Sequence, residues 1–386
     1  MGTLTFAEDT TKSFNVEKNI SNFVLPADGG YYLYCGGSVF FWDGDIEKKA
    51  MPLCSYPNCD HRNIYDCASR VMSSIDKMYE ADDAIYMIGG ESRRDQVTKE
   101  KQCPLWRVEK DGTGKKVVGG IPDINSMQYT ILNDILYYAV QERETDGSYR
   151  TSIWQMTLDG KNKKEIWSSE LYNNFVYILQ GIGEWLYLSD SGYTERFDIS
   201  DPEVDFEKYT ELKNLHMYNP QSGEWRHNPY IEEDEALATI RNVYDNKIYM
   251  SLYDREELVQ KVWRKQLGED DELEYIGSFP RDSWSWDDEY AYTWSLWDSE
   301  KEESWFNIYN YDGECVQRFD LNYEDNIDEI VSADGKYVFV YWMQIEGNGA
   351  QEVVGVIERD KIATSEAKLI QITDGYTLSA FVREEE

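Results

Sequence analysis

The residues best suited to chemistry fall inside one short window. The chain holds six cysteines and three histidines, and four of these residues are Cys54, Cys59, His61 and Cys67. Zinc prefers four ligands in a tetrahedral arrangement, and thiolates combined with one imidazole suit it. Pro57 restricts the backbone between the first two thiols, which favours a preformed site. The spacing Cys-x4-Cys-x-His-x5-Cys therefore predicts a structural zinc site.

A disulfide is the competing interpretation of the same window. An extracellular setting is oxidising, so Cys54 or Cys59 could pair with Cys67. The third thiol and the neighbouring histidine have no place in a single disulfide, which favours the metal. The remaining cysteines stand alone in or near strand-like segments and are expected to be buried as small apolar side chains; they are Cys35, Cys103 and Cys315.

A second candidate site is the run of aromatic and acidic residues from Trp284 to Asp288. An exposed tryptophan beside a carboxylate can bind a sugar or a peptide, because the ring stacks and the carboxylate forms hydrogen bonds. We expect Trp284 and Trp286 to be exposed in a turn, with Asp287 and Asp288 serving this ligand site or a calcium site. The alternative is that the tryptophans are alternate strand residues packed in the core, followed by ordinary turn aspartates.

The sequence lacks the common signatures of enzymes. It contains no Gly-x-Ser-x-Gly elbow, no His-Glu-x-x-His pair and no phosphate-binding Gly-rich loop. His216 and His227 lie beside strand-like segments without a marked nucleophile, so we expect packing or surface roles for them. A pair of carboxylates that cleaves a polysaccharide or a peptide stays open, because 74 acidic residues offer too many candidates.

Composition restricts the partners of the chain. Its formal charge is -36 and its isoelectric point is about 4.4, which argues against nucleic acid because phosphate binding needs clustered Lys and Arg. An aromatic content of 15% favours strands. No apolar run is long enough to span a membrane, and no signal-peptide pattern is present. We therefore expect a soluble chain that reaches a membrane only through a lipid anchor that these residues do not contain.

An internal repeat organises the chain. A short apolar strand introduced by an acidic or glycine-containing turn occurs at residues 28–33, 82–87, 133–138, 183–188, 245–250, 287–292 and 334–339. A second strand leading into a tight turn, with Asp-Gly in the clearest copies, occurs at residues 39–44, 105–112, 153–160 and 308–313. The match weakens at residues 216–223 and 262–269.

The copies recur about every 40 to 60 residues, a spacing typical of propellers. They predict an all-β fold, a single β-propeller of four-stranded blades that spans residues 1–386. We count seven blades, and counts of six and eight stay open because the ends are hard to phase. Residues 14–17 and 377–382 are both strand-like, and one of them is expected to complete a blade begun at the other terminus.

The repeat also places the cysteine window. Residues 54–67 follow the outermost strand of blade one and precede the innermost strand of blade two, so we expect a loop between these blades. A filled four-ligand site there would staple the loop and leave no open position for chemistry. Any ligand site must then lie elsewhere.

The segment Met51-Pro52-Leu53, followed by Cys54, Pro57, Cys59, His61, Cys67 and Ala68, resembles exported propeller lipoproteins of Gram-positive anaerobic bacteria. These are similar in shape to YWTD and TolB propellers. The resemblance implies an extracellular or cell-surface setting and brings no established reaction. This chain differs in lacking the lipid-anchored cysteine at its start.

Together these observations predict an extracellular binding propeller that recognises a carbohydrate, a peptide or a protein partner. The alternative is a carboxylate-dependent hydrolase acting on a polysaccharide or a peptide. Zinc is the expected cofactor, in a structural role, and calcium is the weaker candidate.

Overall fold

In the computed structural model, antiparallel strands follow one another along the chain and form seven sheets. The structure describes residues 23–61, 66–71, 75–81, 83–89, 93–94, 101–122, 129–143, 149–168, 174–192, 212–228, 239–245, 247–254, 256–266, 274–294, 304–322, 325–346, 349–374 and 376–377. Among them, no helix is long and apolar enough to cross a membrane.

The first four sheets, called blades one to four, use strands that are consecutive in sequence. Blade one contains β1 (Val24–Ala27), β2 (Gly30–Cys35), β3 (Ser38–Trp42) and β4 (Met51–Pro52). Blade two contains β5 (Ile75–Glu80), β6 (Ala84–Gly89), β7 (Arg93–Arg94), β8 (Lys101–Glu109) and β9 (Lys115–Pro122). Blade three contains β10 (Tyr129–Leu132), β11 (Ile135–Arg143), β12 (Tyr149–Thr157) and β13 (Lys164–Ser168). Blade four contains β14 (Asn174–Ile182), β15 (Trp185–Gly192), β16 (Leu212–Tyr218) and β17 (Trp225–Asn228).

The last three sheets continue the pattern. Blade five contains β18 (Thr239–Tyr244), β19 (Lys247–Asp254), β20 (Val259–Gln266) and β21 (Glu274–Pro280). Blade six contains β22 (Ser283–Trp286), β23 (Tyr290–Trp294), β24 (Ser304–Asn310) and β25 (Cys315–Leu321). Blade seven contains β26 (Asn326–Ser332), β27 (Tyr337–Glu346), β28 (Gly349–Glu358), β29 (Ile370–Gln371) and β30 (Tyr376–Thr377), with a short 3-10 helix at Arg359–Lys361.

The repeated segment found in the sequence is the second strand of each blade. Its turn residues supply the left-handed backbone that a tight hairpin needs. Asn133 and Asp134, between β10 and β11, have φ angles of 51° and 59°. The Asp-Gly turns join the outermost strand of a blade to the strand before it. Gly160, for example, lies between β12 and β13 and has a φ of 80°. The all-β propeller fold predicted from the repeat is confirmed.

The blades pack face to face in a ring. Each of six apolar clusters among the described residues joins two neighbouring blades. The cluster that joins blade seven to blade one includes Trp42, whose ring lies 5.0 Å from that of Tyr337. Burying one such large side chain contributes roughly 1.5–3 kcal/mol. First strands of neighbouring blades contact one another, as β1 does with β5 and β10 with β14, so these strands surround the axis.

The ends of the chain do not exchange a strand among the described residues. Blade one is built from residues 24–52, and Tyr376–Thr377 pairs with β28 of its own blade. Thr377, the first residue of the strand-like segment 377–382, thus belongs to blade seven. Residues 378–382 and the strand-like residues 14–17 lie outside the described residues.

Candidate functional site

The cysteine window interrupts the outer strand of blade one. Leu53 donates its N–H to the carbonyl of Val39 at 2.8 Å, and the chain then leaves the sheet. It returns at Ser69, whose carbonyl accepts the N–H of Val39 at 2.9 Å, and Arg70 bridges to Ser38. The window is thus an excursion within an outer strand, whereas the sequence placed it after that strand. Both ends of the excursion are fixed to the same residue of β3.

Local turns bring the four side chains together. Pro57 and Asn58 occupy the centre of a turn closed by the N–H of Cys59 on the carbonyl of Tyr56 at 3.3 Å. Asn58 has a φ of 61°, and proline followed by a left-handed Asn is the pattern of a type II turn. His61 also has a positive φ, 58°. These two reversals fold Cys59 and His61 back toward Cys54.

The four predicted ligands form one cluster. One ligand atom from each of Cys54, Cys59, His61 and Cys67 lies within 4.8 Å of the other three. His61 Nδ1 is 3.4 Å from the Sγ of Cys67. Tetrahedral zinc with Zn–S bonds of about 2.3 Å requires sulfurs about 3.8 Å apart, a spacing that falls within this limit. A Cys/His cluster able to hold a metal ion is therefore present.

Backbone groups surround the sulfurs. Burial raises the pKa of Cys54, but hydrogen bonds from the N–H groups of Tyr56 and Ala68 outweigh it, so the pKa is lowered. The N–H of His61 lowers the pKa of Cys59, yet burial and the neighbouring thiols raise it to about 11. Ser69 Oγ lies 3.0 Å from the Sγ of Cys67. Such donors orient thiolates and support them once a metal is bound.

The excursion docks on blade two. Ser55 donates its N–H and its hydroxyl to the carbonyl of Gly112, at 2.9 and 3.1 Å. Tyr56 donates its hydroxyl to the carbonyl of Thr113 at 2.7 Å. Gly112 has a φ of 70°, and a Cβ there would lie 2.9 Å from the nitrogen of Ser55. The turn before β9 therefore requires glycine, and the loop packs against blade two through these contacts.

All six cysteines belong to the described residues and are free thiols. Cys35 and Cys103 are buried, as expected for small apolar side chains, and burial raises the pKa of Cys35 to about 12. Cys315 is exposed at the start of β25, so its predicted burial is wrong. The strand is the outermost of its blade, where one face meets solvent.

The predicted exposure of Trp286 is wrong. Its side chain is 1% exposed and packs against Phe279, with ring centroids 6.4 Å apart, between blades five and six. Trp284 lies in the same strand, β22, and its side chain is outside the described set. A strand alternates its side chains, so a residue of β22 that faces a neighbouring blade must be buried. No exposed platform is therefore formed by Trp286.

Both carboxylate oxygens of Asp287 accept hydrogen bonds from groups inside the protein. Its Oδ1 accepts the N–H groups of Glu289 and Tyr290 at 2.9 and 2.8 Å, and its Oδ2 accepts the hydroxyl of Tyr292 at 2.6 Å. Arg359 donates to both oxygens at 3.2 Å. Calcium needs six to eight oxygen ligands, and this carboxylate has no free one to give. The predicted calcium or ligand role of Asp287 does not fit this geometry.

The same arginine joins blades six and seven. Burial lowers the pKa of Arg359, but the charge of Asp287 and its hydrogen bonds raise it by more. Arg359 also pairs with the half-exposed Asp288. The side chain of Asp287 is 1% exposed and that of Arg359 is 12% exposed. This ion pair is a structural tie that the sequence did not reveal.

Two adjacent carboxyl groups lie on the first strand of blade seven. The pairing of β26 with β27 leaves Asp328 unpaired beside Glu329, which pairs with Tyr341. Asp328 is exposed and Glu329 is partly exposed. Although Asp328 keeps contact with solvent, the surrounding protein partly desolvates its carboxyl group and raises its pKa, and repulsion from Glu352 adds to the effect. Burial and the charge of Asp328 raise the pKa of Glu329 to about 8.

A bulge at this place is a shared feature of the first strands. One residue is left without a partner in five blades, namely Asp76, Leu179, Arg241, Trp284 and Asp328. Bulges redirect side chains and are frequent beside functional sites.

His216 and His227 occupy directly opposed positions on β16 and β17, and their side chains are not described.

The order of the sheets and the clusters between them define the chain as a β-propeller. Prolyl oligopeptidase B from Galerina marginata is similar at 10% identity and a TM-score of 0.48, over 96% of this chain and 52% of that one. The β-propeller domain of the Trilobed protease from Pyrococcus furiosus is similar at 12% identity and a TM-score of 0.43, over 81% and 99%. Oligogalacturonate lyase from Vibrio parahaemolyticus is similar at 10% identity and a TM-score of 0.46, over 85% and 86%.

This likeness concerns the fold. The chain spans about half the length of prolyl oligopeptidase B. No family model matches the chain, and no curated protein matches it.

Proposed function

We propose that this protein is an extracellular β-propeller binding module in which a structural zinc ion joins blades one and two. The observation that carries the zinc is the convergence of Cys54, Cys59, His61 and Cys67 to within 4.8 Å. Three thiolates and one imidazole are a ligand set that zinc favours over magnesium or calcium. Four protein ligands fill the tetrahedron, so the metal holds structure and leaves no open position for a substrate.

The binding role is supported by charge and by the missing enzyme signatures. Propellers present loops and first strands around a central axis, where a carbohydrate, a peptide or a protein segment can bind. A formal charge of -36 repels nucleic acid and favours neutral or cationic partners. Resemblance of the cysteine window to exported lipoproteins supports the extracellular setting, with attachment to a membrane through a lipid anchor.

Protein purified without added metal is expected to contain about one zinc per chain, because a four-ligand thiolate site retains its ion. Elemental analysis measures this directly. Cys59→Ser should lose the ion, whereas Cys315→Ser, which changes an exposed thiol in β25, should keep it. Metal-free wild-type protein with fewer than six titratable thiols after denaturation, which exposes the buried Cys35 and Cys103, would instead establish the disulfide.

A carboxylate-dependent hydrolase is the second candidate, and Asp328 with Glu329 is the observation that favours it. Adjacent carboxyl groups in unlike surroundings can divide the work, one as acid and one as base or nucleophile. A Glu329 with a pKa of about 8 is protonated at neutral pH and could donate a proton to a leaving group.

Polysaccharides and peptides incubated with the protein are expected to remain intact if it is a binding module. If cleavage is seen, Glu329→Gln should lower its rate by about 10²–10⁴-fold. The rate should also fall as the pH rises through about 8, because the acid must be protonated. Asp320→Asn, an exposed carboxylate on the outer strand β25, is the matched control. If Glu329→Gln cleaves the substrate as fast as wild type does, this pair of carboxyl groups does not take part in the reaction.

A further inference from the structure

The three thiols of the cluster differ in their access to solvent. Cys54 and Cys59 are half-buried, whereas Cys67 is 1% exposed. The Sγ of Cys67 also lies 3.0 Å from the hydroxyl of Ser69 and 3.4 Å from Nδ1 of His61. Oxidation of cysteine requires a thiolate that the oxidant can reach. Two of the three sulfurs are therefore open to a dissolved oxidant, and the third is shielded by the protein.

The two accessible thiols flank one turn, and every residue between them is described. The N–H of Cys59 closes this turn on the carbonyl of Tyr56 at 3.3 Å, and the left-handed Asn58 reverses the chain. The ligand atoms of the cluster lie within 4.8 Å of one another. A disulfide bond is about 2.05 Å long, so the sulfurs of Cys54 and Cys59 need to approach by less than about 3 Å.

A bond between Cys54 and Cys59 would enclose the two residues that hold the loop on blade two. Ser55 donates its N–H and its hydroxyl to the carbonyl of Gly112, and Tyr56 donates its hydroxyl to the carbonyl of Thr113. Drawing the flanking cysteines together changes the backbone between them, and these hydrogen bonds depend on that backbone. The contact between the loop and blade two is therefore sensitive to the bond.

The same bond would remove half of the metal ligands. Only His61 and Cys67 remain once the sulfurs of Cys54 and Cys59 are joined. Structural zinc sites use four protein ligands, and a disulfide sulfur is no longer a thiolate that can bind the ion. Oxidation at this turn thus acts on the metal site and on the contact between blades one and two together.

We infer that the cysteine loop is a redox switch, in which a peroxide joins Cys54 to Cys59, zinc is released and the loop detaches from blade two. This inference rests on the proposed zinc site and adds its regulation. One thiolate attacks the O–O bond, becomes a sulfenic acid and releases hydroxide. The second thiolate attacks that sulfur, the S–S bond forms and a second hydroxide leaves. Two electrons pass from the two sulfurs to one peroxide, and the ion keeps its oxidation state.

The positions of Lys and Arg in the sequence make the possible products distinguishable. Trypsin releases Cys54 and Cys59 together on residues 50–62 and Cys67 on residues 63–70. A bond between Cys54 and Cys59 leaves these two peptides separate, and it makes the first lighter by two hydrogens. Any bond to Cys67 instead links the two peptides. An oxygen gained by a methionine of the first peptide raises its mass and is recognised by that change.

The test uses the zinc-loaded full chain carrying Cys315→Ser, which removes an exposed thiol that would compete for the oxidant. Hydrogen peroxide is added, a chromophoric indicator measures released zinc, and the remaining thiols are alkylated and counted after denaturation. We expect one zinc released per chain and a fall from five thiols to three, with residues 50–62 lighter by two hydrogens. A dithiol reductant added with zinc should restore the starting state.

Amide hydrogen exchange measures the contact between the blades. The peptide that contains Ser55 should exchange about 10-fold faster or more after oxidation, because its N–H loses the carbonyl of Gly112. The N–H of Gly160, which bonds the carbonyl of Thr157 in blade three, is the control and should keep its rate.

Three results would overturn the inference: zinc retained with all thiols intact after peroxide, a disulfide that includes Cys67, or unchanged exchange at Ser55 once the bond has formed. A starting protein that binds no zinc would instead refute the proposed metal site. If Cys315→Ser does not fold, the wild-type chain replaces it, since Cys315 lies on a separate tryptic peptide whose state is measured directly.

Discussion

Replacing Arg359 with alanine is expected to lower the free energy of unfolding by about 3–5 kcal/mol, because it leaves a buried charge without its partner. Asp287 is 1% exposed at its side chain, and both of its oxygens accept hydrogen bonds from Arg359. Tyr292 and two backbone N–H groups would remain, and none of them carries a charge. Denaturant unfolding followed by tryptophan fluorescence measures the loss.

The control for Arg359→Ala lies two residues away on the same 3-10 helix. Lys361 pairs with Glu358, and both side chains keep a quarter or more of their surface in solvent. Lys361→Ala should therefore cost less than about 1 kcal/mol. If the two variants lose the same free energy of unfolding, the ion pair between blades six and seven does not stabilise the protein as expected.

Replacing Gly160 with alanine is expected to cost about 1–3 kcal/mol more than the same change at Gly313, because added atoms in a packed contact are destabilising. Gly160 closes the turn of blade three against β9 of blade two. A Cβ at Gly160 would lie 2.1 Å from the carbonyl oxygen of Val118. Backbone cannot give way as a flexible side chain can, so blades two and three would have to separate.

Gly313 isolates the effect of that contact. Its φ of 81° matches the 80° of Gly160, so alanine suffers the same backbone strain, about 1–2 kcal/mol, at both positions. A Cβ at Gly313 meets nothing within 4 Å. Melting temperatures of the two variants compare them directly. Equal losses would show that only backbone conformation matters at Gly160.

The ring of sheets could be predicted from the sequence because its signals are local. A two-residue turn such as Asn133-Asp134 demands left-handed backbone, and the aromatic strand that follows it repeats in each blade. The bulges of the first strands could not be predicted. They depend on how two strands align, as when Asp328 is left unpaired between β26 and β27. No residue type marks that misalignment.

The cluster of three cysteines and one histidine could be predicted for the same reason. Its four residues lie close in sequence, and Pro57 with Asn58 indicates the turn that brings them together. The role of Asp287 could not be predicted, since its partner Arg359 is 72 residues away. Trp286 illustrates a different difficulty. The first strand of blade six packs against blade five and buries Trp286, which in the sequence alone looks like part of a turn.

The outermost strand of a blade is an open sheet edge, where a second molecule can add its own strand and begin aggregation. In blade one this edge is short. β4 contributes only Met51–Pro52 before the chain departs, and pairing resumes at Arg70. The loop of residues 54–67 leaves the edge between these two pieces and interrupts the row of backbone groups with which a neighbouring molecule could pair. A metal ion bound in this loop would then protect the solubility of the propeller as well as the contact between two blades.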